Sequence, residues 1–376
     1  MQSIFSNALS GAVSGHIELS VSRRRTLAWL VLLIMRHGTV CLWRLAAHVD
    51  CPAETASARR RIYRFFQFVP LDGVCAARIV ADLLGLHGKP WVLAIGRTNW
   101  EFGKATINFP MLPVEWNGIG VPLIWTPPPA AGNSDTKTRI CLLDRPREAF
   151  PEMKIAALTG DREFIGKAWM ASLAAGKIPF FPRLRETQYV MREGYETWTL
   201  AAIAQALKPG KRMILKGLCR LGQDGGADAP APRIVILGLA TGELLALATS
   251  ASPRHALARY RARWRIESRF GTLKTRGFNL EVEPLRRHLA DPAKLSTLMV
   301  LLAIAVALSV KTGVAAQRRK PVPIKKHGRQ AASPFAHGLN ALRKIFASAS
   351  RNQVFVFLEN LLSPKSPFKS LKYMAI

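Results

Sequence analysis

The chain has 376 residues, of which 49% are hydrophobic. It is therefore long enough to form two or three domains with a substantial buried core, and too apolar to be disordered. It carries 54 Lys and Arg against 24 Asp and Glu, which gives a formal net charge of +30. A globular chain with this excess of positive charge usually binds a polyanion, most often nucleic acid. A ribosomal protein or a protein of a membrane surface is the alternative.

Cysteine usage and apolar runs indicate where the chain resides. The five cysteines are scattered and include no CxxC pair, which predicts neither a disulfide framework nor a zinc site and fits a reducing cytoplasm. Residues 1–22 lack the charged start and apolar stretch of a signal peptide. The apolar run Leu295–Val310 is shorter than the roughly 20 residues that cross a bilayer. We therefore expect a buried core helix there, a cytoplasmic protein and no membrane partner.

The first part of the chain has a helical pattern. Thr26–Met35 is apolar throughout, Val40–Val49 has apolar residues at helical spacing, and Ala53–Phe68 mixes arginines with apolar residues. A helix, a tight turn and a second helix with arginines is the layout of helix-turn-helix proteins, which places Arg60 and Arg64 at DNA. An ordinary small bundle with a solvated basic face is the alternative.

From Lys89 onward, short apolar runs bounded by turn residues predict strands. The expected strands are 90–95, 105–114, 120–125, 154–159, 178–183, 213–219, 233–239 and 244–249, with a helix at 163–175. Asn117-Gly118 predicts a hairpin turn between the second and third strands. Helices return after Pro253. This order predicts an α/β domain with a mixed sheet and a β-rich insertion.

The strongest local pattern lies on a predicted helix after residue 259. Tyr260, Arg263, Glu267 and Lys274 occur at offsets 0, 3, 7 and 14, close to whole numbers of helical turns, so all four share one face. Such a face suits phosphodiester chemistry, because the carboxylate can bind a divalent metal, the cations hold phosphate and the ring can stack on a base. A salt-bridged helix that pairs Glu267 with Arg263 is the alternative.

This spacing, Y-x2-R-x3-E-x6-K, resembles the signature of the Insertion Sequence Four family of DDE transposases. Two other stretches, Leu93–Lys104 and Leu158–Lys167, resemble the strands that carry the family's first and second carboxylates. Lys325–Arg329 resembles a C-terminal family element. The segments occur in the family's order and span roughly residues 25–345.

The resemblance implies a ribonuclease-H-like α/β core with a β-rich insertion and an N-terminal α-helical DNA-binding region. Combined with the patterns above, it divides the chain into five segments. These are the helical region 1–88, the two parts of the core 89–188 and 251–316, the insertion 189–250 and a basic C-terminal region 317–376.

The resemblance also implies a function. Members are transposases of bacterial insertion sequences that bind the terminal inverted repeats of double-stranded DNA as homodimers. They cut and join strands with Mg²⁺, or Mn²⁺ as a substitute. Carried over by position, Asp161 and Glu267 are catalytic metal ligands. The expected DNA-binding residues are Tyr260, Arg263 and Lys274, which grip the phosphate beside a flipped-out base, and Arg97, Thr98, Asn99 and Trp100, which line the edge of the site.

One position departs from the family pattern, because Gly96 replaces the first catalytic aspartate. Loss of that carboxylate removes several kcal/mol of charge stabilisation. Glu101 lies an odd number of residues further along the strand and so points to the opposite face. Glu163 is expected at best to orient Asp161 or an arginine. Three interpretations stay open: a transposase with a lesion or trap at position 96, a DNA-binding protein that does not cut, and a basic structural protein without an active site.

Overall fold

The computed structural model describes residues 2–49, 55–102, 105–126, 135–222, 231–267, 278, 291–326 and 330–364, and only the backbone of 98–102, 105–109, 262 and 264–267. The helices in these ranges are α1 (Gln2–Ala12), α2 (Val21–His37), α3 (Leu42–Ala47), α4 (Thr55–Phe68), α5 (Gly73–Leu84), α6 (Thr136–Ala149), α7 (Lys167–Ala175), α8 (Leu200–Ile203), α9 (Ala256–Glu267), α10 (Pro292–Arg319), α11 (Pro334–Ser348) and α12 (Arg351–Leu362). The strands are β1 (Trp91–Phe102), β2 (Ala105–Trp116), β3 (Ile119–Trp125), β4 (Ile155–Gly160), β5 (Phe180–Leu184), β6 (Tyr189–Arg192), β7 (Trp198–Thr199), β8 (Arg212–Ile214), β9 (Cys219–Leu221), β10 (Arg233–Gly238) and β11 (Leu244–Thr249).

The main sheet is mixed and has the strand order β3-β2-β1-β4-β5-β11-β10-β8. β1, β4 and β5 run parallel to one another, while β2 is antiparallel to both β1 and β3. Asn117 and Gly118 both have positive φ in the turn between β2 and β3, as an Asn-Gly hairpin requires. The expected mixed sheet of an α/β chain and the expected hairpin between β2 and β3 are confirmed.

The β-rich stretch after β5 divides between two sheets, which the sequence pattern does not indicate. β8, β10 and β11 extend the main sheet, whereas β6, β7 and β9 form a separate sheet of three strands. The expected strand 213–219 is wrong as a single element, because β8 ends at Ile214 and β9 begins at Cys219. Gly217 lies between them with a φ of 77°, a left-handed conformation that breaks an extended strand and that glycine tolerates.

The helices expected in the first 68 residues are present with shifted ends. α2 extends the apolar segment Thr26–Met35 in both directions and ends where Gly38 adopts a φ of 61°. The tight turn expected between the segments Val40–Val49 and Ala53–Phe68 lies outside the described residues. The helix expected to start at Glu163 starts four residues later as α7, because residues 161–166 form a loop that ends at Gly166 with a φ of 152°.

α10 forms the centre of the helical layer. It is long and apolar enough to cross a membrane, but its most apolar 18-residue window is 94% buried inside the protein, which confirms the expected core helix. Trp125 donates a hydrogen bond from Nε1 to Ser296 Oγ at 2.9 Å, and Thr297 Oγ1 donates to the Val69 carbonyl at 3.0 Å. These bonds join α10 to the sheet and to the N-terminal helices.

Two contacts of α10 depend on single residues. Lys311, although buried, donates from Nζ to the carbonyl oxygens of Leu83 at 2.7 Å and Ser363 at 2.9 Å. Its ammonium thereby satisfies carbonyl groups at the C-terminal ends of α5 and α12. α11 crosses α10 so closely that a Cβ on Gly338 would overlap the carbonyl oxygen of Ser309.

Candidate active site at the ends of three parallel strands

The parallel pairing of β1, β4 and β5 stops at one level of the sheet, called the strand-end site below, although β1 itself continues to Phe102 in its pairing with β2. Gly160, the last residue of β4, pairs with Ile95 of β1 and with Pro182 of β5. The next residue along each chain segment therefore falls into one row across strands spaced about 4.8 Å apart. That row consists of Gly96, Asp161 and Arg183.

This row lies on the face of the sheet that α9 covers. Ala157 and Phe181 pack with Tyr260 of α9 in one hydrophobic cluster, and Val92 packs against the same cluster. Each of the three strand residues precedes a member of the row by an even number of positions. Because side chains alternate between faces along a strand, the row faces α9.

α9 brings two of the expected site residues to Asp161. Arg263 Nη2 lies 3.8 Å from Asp161 Oδ1, and the Arg263 side chain is only 4% exposed against 46% for Asp161. The Arg263 guanidinium also lies over the ring of Tyr260, 4.7 Å from its centroid. The structure thus brings Asp161, Tyr260 and Arg263 together, and Arg263 has Asp161 as a charged neighbour.

Glu267 is the last residue of α9, about one turn after Arg263, and only its backbone is described. Lys274 lies outside the described residues. Thr98, Asn99 and Trp100 lie on β1, where their backbones pair with β2. The expected roles of these side chains in metal or DNA binding stay predictions.

Two arginines hold the loop that follows Asp161. Arg97 Nη2 pairs with Glu163 Oε2 at 2.5 Å. Arg139 donates from Nη1 to the Ile165 carbonyl at 3.4 Å and lies over the ring of Phe164. Burial lowers the pKa of Arg139, an effect that the Glu163 charge opposes. Glu163 thus forms an ion pair with Arg97, which is consistent with the expectation that it orients Asp161 or an arginine.

The backbone of β1 also restricts Glu101. β1 stays in continuous register with β2 from Gly96 to Phe102. A strand without a bulge keeps its alternation, so Glu101 belongs to the face opposite Gly96. The bend that would bring Glu101 to the site is absent from this backbone segment.

The described side chains do not fit a pair of divalent ions. Gly96 has no carboxylate, and the carboxylate of Asp161 has a guanidinium 3.8 Å away. Within the described part of the chain there is no group of three or more His, Cys, Asp or Glu residues that could hold a metal ion. Mg²⁺ and Mn²⁺ prefer several oxygen ligands and concentrated negative charge, which this set lacks.

A second basic region lies between α2 and α4. A cleft of about 520 Å³ is lined by four arginines together with smaller and aromatic residues. The arginines are Arg23, Arg60, Arg61 and Arg64. Arg60, Arg61 and Arg64 are all exposed, and Arg61 is also held by a hydrogen bond from Nε to Thr26 Oγ1 at 3.0 Å. Such a cleft suits the phosphates of a nucleic-acid backbone.

Arg183 is the site residue that sequence reasoning missed. The pattern of 178–183 predicts a strand but not its neighbours or its register. Arg183 joins the site only because β5 pairs in parallel with β4 at Pro182. The position of an arginine at the carboxyl end of a predicted strand was the one available signal.

Comparison with known proteins gives three results. No curated protein matches the chain. Among solved structures, the cryo-EM structure of a piggyBac transposase synaptic complex with hairpin DNA is similar at 10% sequence identity, with a TM-score of 0.42 and coverage of 100% of this chain and 85% of that chain. A likeness this distant carries no argument. Residues 123–308 match the family model of the transposase DDE domain, a range that includes Asp161 and Arg263 but leaves out β1 with Gly96.

Proposed function

We propose that the chain is a transposase-type protein of a bacterial insertion sequence, which binds the terminal inverted repeats of its element as double-stranded DNA and does not cut them. The observation that carries this proposal is the strand-end row, in which Gly96 stands beside Asp161. The family resemblance assigns Gly96 and Asp161 to the first two acidic positions of a DDE site, and the match of residues 123–308 to the transposase DDE domain supports that origin. Without the carboxylate at position 96, the chain can still bind DNA but lacks a metal ligand that cleavage requires.

The five strands β3-β2-β1-β4-β5 are taken as the ribonuclease-H-like core that the family resemblance implies. Gly96 and Asp161, which the resemblance assigns to the first two acidic positions, lie side by side where the parallel pairing of β1 and β4 stops. α9 then carries Glu267 over the same face. Three acidic positions converging from two strands and a helix are what a DDE core needs, and this chain has acidic residues at two of them.

DNA binding is supported by charge and by the cleft between α2 and α4. A net charge of +30 favours a polyanion over other partners. Arg60 and Arg64 project from an exposed face of α4 beside that cleft. The α4 helix follows α3 and packs against it, so a recognition role for α4 is consistent with the helix-turn-helix interpretation. A homodimer on paired DNA ends is part of the proposal.

The second candidate function is an active transposase that uses Mg²⁺. The transposase DDE match over residues 123–308 favours it. It requires another carboxylate at the site, yet Glu163 pairs with Arg97 at 2.5 Å. Glu101 belongs to the opposite face of β1. Binding without cleavage is therefore the better-supported function.

A binding experiment tests the proposal directly. The affinity of the chain for a duplex with the inverted repeat that flanks its gene is compared with that for a shuffled duplex of the same length. We expect at least about tenfold preference for the repeat. The double variant R60Q/R64Q should bind both duplexes more weakly and reduce the slope of log affinity against log salt by about two, since each phosphate contact contributes about 0.9.

The control for that variant is R212Q/R233Q, which removes the same charge from exposed positions on β8 and β10. This control should lower affinity far less than R60Q/R64Q. Equal losses would assign the effect to net charge and remove the role of the cleft. Equal affinity of the natural chain for repeat and shuffled duplexes would contradict the proposed function.

A further inference from the structure

Arg183 has unused hydrogen-bonding capacity in a buried position. Its side chain is 14% exposed, and its nearest carboxylate, Glu243 Oε2, lies 3.7 Å from Nη2. That distance is too long for a hydrogen bond. Within the described part of the chain, the Nε and Nη2 atoms of Arg183 are buried and have no hydrogen-bond acceptor. Buried N–H donors of a cation are unfavourable without an acceptor, so this guanidinium is suited to a ligand that supplies oxygen atoms.

The two guanidiniums at this site each have one carboxylate nearby, since Glu243, 62% exposed, lies 3.7 Å from Arg183 and Asp161 lies 3.8 Å from Arg263, so the site lacks the excess negative charge that holds a divalent metal ion. The row at the strand ends offers one carboxylate, on Asp161, and one guanidinium, on Arg183, because Gly96 is uncharged. Arg263 adds a second guanidinium, 3.8 Å from Asp161 and 4% exposed. Glu163 adds no free charge, since it pairs with Arg97 at 2.5 Å. An aspartate at position 96 would add one negative charge to the site and so favour binding of a cation.

We propose that this strand-end site binds a phosphate of the DNA backbone through Arg183 and Arg263 without a divalent metal ion. A phosphodiester has oxygen acceptors that match the planar fork of a guanidinium. The proposal rests on the proposed function for the identity of its ligand, a DNA end. It adds that the lesion at position 96 converts a metal-dependent site into one that binds its substrate directly. No bond forms or breaks in this step.

Metal dependence and charge variants test the proposal. The probe is a fluorescently labelled repeat duplex, with affinity measured by anisotropy in EDTA and in Mg²⁺. The natural chain should bind within about twofold in the two conditions. R183Q should lower affinity about tenfold in both, R183K should recover part of the loss, and D161N should raise affinity because it removes the charge that repels phosphate. The control R212Q removes an exposed arginine from β8 of the same sheet and should change affinity less than twofold.

Neutral methylphosphonate links, placed one at a time in the duplex, locate the phosphate. One position should weaken binding of the natural chain and have no further effect on R183Q. Thermal melts of each variant identify any that fail to fold. If R183Q fails to fold, the affinity of D161N and the methylphosphonate series on the natural chain decide the result. A tenfold loss in EDTA, equal effects of R183Q and R212Q, or a weaker D161N variant would overturn the metal-free site. A natural chain without preference for the repeat would instead overturn the proposed function, so the two failures are distinguishable.

Discussion

Lys311 in the core and Gly96 at the strand ends are both unusual for their surroundings, and the structure treats them differently. Lys311 is a buried cation in an apolar helix, yet its ammonium donates to the carbonyl oxygens of Leu83 and Ser363. Gly96 stands where a carboxylate is expected, and the nearby Glu163 is paired with Arg97. The first departure has partners that compensate for it, and the second has none among the described side chains.

The difference separates the requirements of folding from those of catalysis. The helical layer around α10 needs each polar group satisfied and each close contact kept, since a single failure costs several kcal/mol of a small total stability. The strand-end site needs Gly96 only as backbone in β1, paired with Met111 of β2. The chain can therefore keep its fold without a carboxylate at position 96, as the proposed function requires.

The largest effect is expected where α10 and α11 cross. G338A would place a methyl group on the carbonyl oxygen of Ser309, so the helices would have to separate. We expect a loss of at least about 3 kcal/mol in the free energy of unfolding, measured by urea denaturation. The matched control is G11A in α1, where a Cβ meets nothing within 4 Å. That variant should be neutral or stabilising by up to about 1 kcal/mol, because alanine favours helix. Equal stability of the two variants would contradict the close crossing.

The next effect concerns the pH dependence of stability at Lys311. Burial lowers the pKa of Lys311 to about 8 from its ordinary 10.5, although the charge of Asp82 acts to raise it. Between those values the unfolded chain binds the proton and the folded chain does not. The free energy of unfolding should therefore rise as pH increases from 8 to 10.5, by up to about 3 kcal/mol. Below pH 8 the folded chain also binds the proton, so the whole cost of burying the ammonium reduces stability there.

The comparison for this prediction is K311M, because other groups titrate in the same range. The natural chain should gain stability relative to K311M between neutral pH and about pH 10, measured by urea denaturation at both ends. A constant difference between the two proteins would show that the ammonium keeps its proton in the fold. The hydrogen bonds to the Leu83 and Ser363 carbonyls would then outweigh the cost of burying the ammonium. The contrast between Lys311, which has compensating partners, and Gly96, which has none among the described side chains, would be sharper.

The smallest effect is expected at the pair beside the site. R97Q frees Glu163, with both side chains about a quarter exposed, so stability should fall by about 1 kcal/mol or less. Cleavage of repeat DNA in Mg²⁺ should stay at background, since Glu163 lies in the loop after Asp161 and not on β1 at position 96. Cleavage by R97Q would show that Glu163 can supply the missing ligand, and it would weaken the contrast between core and site.

Parts of the fold follow from local sequence. The apolar runs of α2 and α10, the Asn117-Gly118 turn and the strands β2 to β5 are predicted by hydrophobic spacing and turn chemistry within a few residues. The strand expected at 90–95 is present as β1 but continues to Phe102, because its second half pairs with β2. The face shared by Tyr260 and Arg263 follows from helical periodicity in the same way. Local patterns of this kind are sufficient because each element carries its own signal.

Other parts depend on pairings that no local pattern encodes. The nearness of Arg183 to Asp161 depends on the register of β4 against β5. The division of the β-rich stretch into two sheets depends on β11 pairing with β5 rather than with β9. The carbonyl partners of Lys311 lie 228 and 52 residues away. Contacts over such separations are decided by the packing of the whole chain.

The most direct measurement compares the natural chain with G96D on a DNA fragment that carries the repeat, in Mg²⁺ or Mn²⁺, with strand cleavage scored on a denaturing gel. Residue 96 lies in extended strand opposite Met111, so an aspartate fits the backbone, and G96N provides a control of nearly equal size without charge. We predict cleavage by G96D at least about a hundredfold faster than by the natural chain, with G96N as inactive as the natural chain. Cleavage by the natural chain at the rate of G96D, or no cleavage by either protein although both bind the repeat, would contradict the claim that Gly96 alone separates binding from cutting.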